Sequence, residues 1–283
     1  MSLNDCLESV HCPLCAGIRC EPWAEERGFT VVRCAACRLL YVNPRPAAQA
    51  IEQAVRTGVH GGAAAGLQVT ARRVPAKVRY YVTQLRALFA DRWSAREPVS
   101  WLDVGAGYGE LLEAVSRLAP PGSRVRGLEP MRPKAAAAVA RGLDVTSDYL
   151  RPSHPKVQVV SFVDVFSHLP DFGAFLADVR AVLLPDGEIF METGNLADVE
   201  ERREFPDELG LPDHLVFAGE TQLERFLSDG GFELVQVRRQ RIDGALSLAK
   251  CLAKRVLGRP ALLRVPYTSN YRQLLVRARL KRS

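Results

Sequence analysis

Val99-Ser-Trp-Leu-Asp103-Val-Gly105-Ala-Gly107-Tyr-Gly109-Glu-Leu-Leu-Glu-Ala-Val115 is an apolar run that breaks into alternate glycines and then resumes at helical spacing. It reads as a strand, a glycine turn and a helix. Glycine at alternate positions lets the backbone turn sharply and approach a ligand without Cβ interference, which an α/β domain needs at its first strand to hold a nucleoside. A Walker loop would require Gly-Lys-Ser/Thr after four spacers, and a dinucleotide fingerprint would space its glycines G-x-G-x-x-G. Here the third glycine comes one residue early and no lysine follows. Asp103 would repel a phosphate but could orient a cationic amino acid or a water, so it is an expected ligand contact and the expected ligand is a nucleoside carrying little negative charge.

These residues, Asp103 with Gly105, Gly107 and Gly109, resemble the first motif of the class I S-adenosylmethionine-dependent methyltransferases, an acidic residue followed by G-x-G-x-G. Farther on, Arg124-Val-Arg-Gly-Leu-Glu129-Pro130 reads as a short strand ending in a carboxylate. An acid placed roughly twenty positions after the turn can take both ribose hydroxyls, and the resemblance carries that role to Glu129. It carries the adenine contact to Asp148 in Gly142-Leu-Asp-Val-Thr-Ser-Asp148, and places Pro130 and Phe162 on the cofactor as well. Val157 to Pro170 is similar to the fourth strand and its Glu-His-Leu-Pro turn, with Ser167 in place of the Glu and Gln158 in place of an upstream Asp. Leu183 to Asn195 resembles the fifth strand. A helix over Thr221 to Ser228, the Gly230-Gly231 turn, and strands from Phe232 and from Gln273 close the pattern. The implied fold is α/β: a Rossmann-like, seven-stranded sheet with helices on both faces, over roughly residues 75–280.

Cys12-Pro-Leu-Cys15 and Cys34-Ala-Ala-Cys37, separated by eighteen residues, have the spacing of a four-thiolate zinc site. Two C-x-x-C knuckles can set four sulfurs tetrahedrally around Zn²⁺ in a closed, structural geometry. A module of some forty residues rarely buries enough apolar surface to fold alone, so metal ligation would supply its stability. Disulfides are the alternative, but Met1 to Val10 carries Asn4, Asp5 and Glu8 and has no apolar core like that of a secretory leader. Free structural thiols are a third reading. Cys6, Cys20 and Cys251 are left as ordinary thiols, and His11 as a bystander. The following stretch, Arg38-Leu-Leu-Tyr-Val-Asn-Pro-Arg-Pro46, resembles the segment after the second knuckle in bacterial methyltransferases with an amino-terminal zinc ribbon. That resemblance implies modification of sugars, surface polysaccharides or secondary metabolites.

The expected organisation is a zinc ribbon over 1–45, a linker or lid over 46–74, and a cofactor-binding domain over 75–283 with a basic amphipathic insertion near 244–266. The 283 residues, 47% of them hydrophobic, suffice for one α/β domain and a small module. No apolar run is long enough to span a membrane, and a cytoplasmic protein is expected. The net charge of +6 has one source: from Gly244 onward the chain has Lys and Arg but no Asp or Glu, so the rest is net acidic. Leu246, Leu248, Leu252 and Val256 alternate there with Lys250, Lys254 and Arg255, a helical pattern suited to an anionic acceptor or membrane surface, or to a packed helix with a solvated basic face.

An alcohol acceptor needs its proton removed as the methyl arrives, and histidine is the usual base near neutral pH. Two of the five histidines are expected beyond strand ends, where an acceptor would sit: His168 after the fourth strand and His214 in Leu211-Pro-Asp-His214-Leu-Val-Phe217. Asp213 is adjacent to His214 and so is not expected to face it. Glu204 to Asp213 reads as a surface loop near the substrate. The leading function is O-methylation of a sugar or small natural product. A ribosomal RNA base methyltransferase is one alternative, although no Asn/Asp-Pro-Pro-aromatic motif is present; a non-catalytic cofactor-binding module, prompted by Ser167 and Gln158, is another.

Overall fold

The computed structural model describes residues 7–59, 72–205, 207–241, 245–258 and 270–282. Cys6, His60, the glycine and alanine run Gly61 to Gly66 and the 259–269 part of the basic region lie outside the described residues.

In chain order the elements are β1 (Leu7–Glu8), β2 (Cys20–Glu26), β3 (Phe29–Cys34), β4 (Leu40–Val42), β5 (Arg45–Pro46), α1 (Ala48–Thr57), α2 (Pro75–Leu88), α3 (Ala90–Ala95), β6 (Ser100–Val104) and α4 (Glu110–Leu118). Then come β7 (Arg124–Leu128), α5 (Arg132–Val139), β8 (Val145–Thr146), β9 (Val157–Val163), α6 (Phe172–Val182), β10 (Leu183–Gly194), β11 (Val216–Phe217), α7 (Glu220–Asp229), β12 (Phe232–Gln240), α8 (Ala245–Val256) and β13 (Gln273–Leu280). A 3-10 turn at Phe166–His168 follows β9.

Seven strands form the central sheet in the order β12-β13-β10-β9-β6-β7-β8. β6 pairs in parallel with β7 and β9, β9 with β10, and β13 runs antiparallel between β10 and β12. This is the Rossmann-like sheet expected from the glycine turn. Alternation along each strand divides the core in two. Trp101, Val159, Phe190 and Leu275 face α2, against Val78, Tyr81 and Leu85. Leu102, Val160, Phe162 and Met191 face α6 and α7, against Leu176, Val179, Leu223 and Phe226.

The cysteine-bearing segment makes its own sheet, and it does so with a strand from the far end of the chain. Its order is β11-β4-β3-β2, with Val216 opposite Tyr41 and Phe217 opposite Leu40. β4 would otherwise leave one edge of backbone donors and acceptors unpaired; β11 closes it. Around that seam Phe29, Val31, Leu40 and Val42 bury against Leu196, Val199, Leu209 and Leu211. The cysteine-bearing segment therefore has no core separate from the 196–217 segment.

Residues 46–74, expected as linker or lid, contain the helix α1. Ile51 and Ala54 on its inner face are buried, Gly58 ends it in the left-handed region at φ 71°, and Arg56 lies over the Tyr149 ring at 5.0 Å. The three-residue spacing of its buried positions is enough to dock ten residues on the main core. In α8, Leu252 and Val256 are exposed beside Lys254 and Arg255. No helix among the described residues is long and apolar enough to cross a membrane.

Candidate active site

The glycine turn leaves the carboxyl end of β6 and is fastened to its neighbour: the amides of Gly105 and Ala106 both donate to the Leu128 carbonyl, at 2.8 and 2.9 Å. Gly105, Gly107 and Gly109 all have positive φ, at 72, 56 and 83°. A Cβ on Gly105 would lie 2.5 Å from Val165, and one on Gly109 would collide with Leu143, whereas one on Gly107 would meet nothing within 4 Å. Two of the glycines are thus required by packing. Gly107 borders open space, the cradle a nucleoside cofactor needs.

Glu129, at the end of β7, is only 6% exposed. Its Oε2 accepts from the Gly107 amide at 2.7 Å and its Oε1 from the Met131 amide at 2.9 Å. The carboxylate is locked between the glycine turn and the start of α5, and each oxygen keeps a lone pair for a hydroxyl. Pro130 follows at the half-buried rim. Asp148 stands beyond β8, half-buried, accepting from the Tyr149 amide at 2.8 Å and from Arg151 at 3.1 Å. The Tyr149 amide bond and then Arg151 hold its carboxyl below the usual range, despite some desolvation.

Two expected cofactor contacts sit elsewhere. Phe162 is fully buried, edge-on to Phe172 and Phe175 at 6.1 and 5.1 Å between centroids. The two-residue period of β9 turns it to the α6 face, so it is core and not a cofactor contact. Asp103 is 2% exposed and faces inward: Trp101 Nε1 donates to Ser161 Oγ at 2.8 Å, and that hydroxyl donates to Asp103 at 2.6 Å. Asp103 supports the turn from beneath. Burial pushes its pKa up to about 7 against the pull of Ser161. The neutral form is therefore favoured by folding, and this group's contribution to stability falls as pH rises from about 4 to about 7. In Asp103→Asn the melting temperature should decline less steeply over that range; a slope equal to the parent's would mean that Asp103 is not the titrating group.

At the carboxyl end of the adjacent strand, the turn after β9 brings His168 to the 209–215 segment. His168 Nδ1 donates to the Asp213 carbonyl at 2.9 Å, and the Asp213 carboxylate lies 3.5 Å from the same nitrogen. His214 packs edge-on against His168, 4.7 Å between centroids, and its Nδ1 donates to the Leu209 carbonyl at 2.7 Å. The Leu215 amide donates to the Ser167 carbonyl at 2.6 Å, so position 167 joins the segments through its backbone. With both Nδ1 atoms so used, both Nε2 atoms carry lone pairs. Burial would lower the His168 pKa, but the Asp213 carboxylate outweighs it and the net shift is upward from 6.5; burial and the His168 charge lower that of His214. Ligand-capable atoms of His168, Asp213 and His214 all lie within 4.8 Å of one another.

Sequence reasoning missed the pairing of Asp213 with His168, and it missed a neighbouring acidic group. Asp164, at the end of β9 with φ 55°, lies 3.6 Å from Lys77. Glu192, on β10, accepts from the Tyr80 hydroxyl at 3.0 Å, and its other oxygen has no hydrogen-bond partner among the described residues. Burial, then Asp164, raise Glu192 to about 7. The available signal was positional: both acids end parallel strands, where α/β sheets bind ligands.

Cys12, Cys15, Cys34 and Cys37 converge, their sulfurs all within 4.8 Å of one another, with Cys12 to Cys37 at 3.4 Å and Cys15 to Cys34 at 3.5 Å. Sulfurs at tetrahedral zinc, with bonds of about 2.3 Å, lie about 3.8 Å apart, so the donor set fits that ion. A Cβ on Gly17 would come within 3.2 Å of the Cys15 sulfur, so glycine leaves the knuckle room. The cluster faces the α7 start, where Gln222 Nε2 donates to the Cys37 carbonyl at 2.8 Å.

A family model described as a methyltransferase domain matches residues 74–237. Among curated proteins, the chain is 30% identical over 135 residues to a ubiquinone biosynthesis O-methyltransferase of Haemophilus ducreyi, covering 43% of this chain and 52% of that protein. It is 30% identical over 114 residues to the protein of the same name from Rhodopseudomonas palustris, covering 38% and 44%. The chain thus spans about half the length of the curated relatives it matches. The solved structure of the 4+2 cyclase SpnF superimposes with a TM-score of 0.51 at 16% identity, over 71% of this chain and 82% of that one, a likeness of fold.

Proposed function

This chain belongs to the methyltransferase-domain family, and from that premise we propose that it methylates a hydroxyl oxygen of a sugar or small natural product using S-adenosylmethionine. When bound, the cofactor supplies a methyl group already activated on a sulfonium. Gly107 leaves the backbone open to it, Gly105 and Gly109 let the turn pack close enough to present it, Glu129 takes the ribose hydroxyls, and Pro130 and Asp148 border the adenine.

One observation carries the choice of an oxygen acceptor: His168, held through Nδ1 by Asp213, keeps Nε2 free beside His214. In this reading Nε2 would accept the proton of the acceptor hydroxyl as that oxygen takes the methyl group the bound cofactor would supply. The Asp213 carboxylate stabilises the imidazolium so formed, and His214 lines the acceptor wall. The names of the curated relatives support oxygen as the methylated atom. We further read the four cysteines as a zinc ribbon whose place is structural, because all four donors would be used and the sheet they support includes β11.

The test is titration calorimetry with S-adenosylhomocysteine, followed by transfer of labelled methyl from S-adenosylmethionine to a panel of sugar, phenol and ribosomal RNA acceptors. Micromolar binding and label on a hydroxyl are expected. Label on RNA bases alone would replace the small-molecule reading, and a folded, zinc-loaded protein that binds no cofactor would end it. Glu129→Ala should weaken S-adenosylhomocysteine binding by about 10- to 100-fold, the loss of one or two hydrogen bonds to a charged group. Unchanged affinity would remove the ribose assignment.

A further inference from the structure

Glu26 ends β2, on the ribbon hairpin, and holds a segment more than 180 residues away along the chain. Its Oε2 accepts from the Leu209 amide at 2.7 Å, and its Oε1 from the amides of Gly210 at 2.8 Å and Leu211 at 3.1 Å. Three successive backbone N–H groups thus converge on one carboxylate, the arrangement by which a backbone nest binds an anion. Here the anion is the chain's own side chain.

What the nest fixes is the frame of His214. Leu209, whose amide Glu26 holds, supplies the carbonyl that accepts from His214 Nδ1 at 2.7 Å. Gly210, held by the other oxygen, accepts from the amides of Asp213 at 2.9 Å and His214 at 3.1 Å. Gly210 has φ 75°, and a Cβ there would approach His214 Nδ1 to 3.2 Å. The carbonyl that sets the His214 tautomer and the turn that carries the ring therefore hang from the same carboxylate.

We propose that Glu26 is a positioning residue for the acceptor face: through residues 209–211 it holds His214 with Nδ1 protonated and Nε2 free, edge-on to His168. The assignment rests on the reading of these histidines as the acceptor face. The charged and titratable groups facing His214 are His168, Asp213 and Asp164.

The experiment is a histidine titration by NMR on the full zinc-loaded chain, comparing the parent with Glu26→Ala, Glu26→Gln and Arg27→Ala. In the parent, His214 should titrate below 6.5. In Glu26→Ala it should move up toward 6.5, because the ring loses its burial, the largest cause of the lowering, and this outweighs the loss of the Leu209 carbonyl, which by itself would lower it further; zinc content and S-adenosylhomocysteine affinity should stay as in the parent. Glu26→Gln keeps one carbonyl oxygen for the nest and should fall between. Arg27→Ala removes only an outward ion pair to Glu208 and should leave His214 unmoved. The proposal is overturned by an unchanged His214 in Glu26→Ala, by an equal shift in Arg27→Ala, or by loss of zinc or cofactor binding in Glu26→Gln, which would make Glu26 a general support of the fold. Methyl transfer retained by a His168 variant would instead sink the catalytic reading and leave the positioning result standing.

Discussion

His168→Ala should bind S-adenosylhomocysteine as the parent does and lose methyl transfer by roughly 10²- to 10⁴-fold, the usual worth of a positioned base. The expected separation of binding from turnover follows from the layout. The glycine turn and Glu129 are tied to each other and to Met131, with no hydrogen bond among the described residues to the turn after β9. His168 is tied instead to Asp213 and, through the backbone of Ser167, to Leu215. A base acts in its neutral form. Because Asp213 raises the His168 pKa above 6.5, the parent's rate should climb with pH through a midpoint above that value, and Asp213→Asn should shift the midpoint down. Calorimetry and initial rates over pH 5.5–9 would decide it. A His168 variant that still turns over at the parent's rate would leave the reaction to positioning alone or move the base to His214.

If the four cysteines hold zinc as proposed, Cys34→Ser should release it and, with it, on the order of 10 kcal/mol of folding free energy in the ribbon. Cys34 is fully buried, 3.5 Å from Cys15, and a serine hydroxyl does not replace its thiolate as a metal ligand. The loss should not stay local. Among the described residues β11 pairs only with β4, the Val42 amide donates to the Leu215 carbonyl at 2.8 Å, and Arg33 and Arg38 both grip Glu200. Freed of the ribbon, the 209–217 segment loses the β4 pairing and the Glu26 contacts that flank Asp213 and His214. Methyl transfer should therefore fall to background while S-adenosylhomocysteine still binds. Metal analysis, thermal melting and calorimetry on the same sample test all three parts. A protein that is metal-free from the start yet keeps the ribbon folded would defeat the zinc reading, and full transfer by the zinc-free variant would defeat the coupling.

Much of this was legible in residue order because its causes are local. The helix expected after the glycine turn forms over Glu110–Leu118, since apolar spacing and a glycine N-cap act within one or two turns of chain. The cysteine pairs converge because each C-x-x-C knuckle is a local turn. Phe162 was misplaced for the opposite reason: the face a strand residue occupies is set by which helices cover the sheet, and period alone leaves the two faces equivalent. The linker assignment of 46–74 missed α1, where two buried side chains suffice once a core exists to receive them.

The amino-acid sequence by itself determined the α/β class, the glycine turn with its spaced acid Glu129, and a four-cysteine cluster, all features written within some thirty residues of themselves. Only the tertiary structure decided that Asp213 serves His168 across 45 residues, that β11 completes the ribbon sheet, and that Glu26 frames His214. Those contacts join segments with no shared periodicity. They exist because unpaired strand edges and buried amides must find partners, and the partners available are whatever the folded sheet brings alongside.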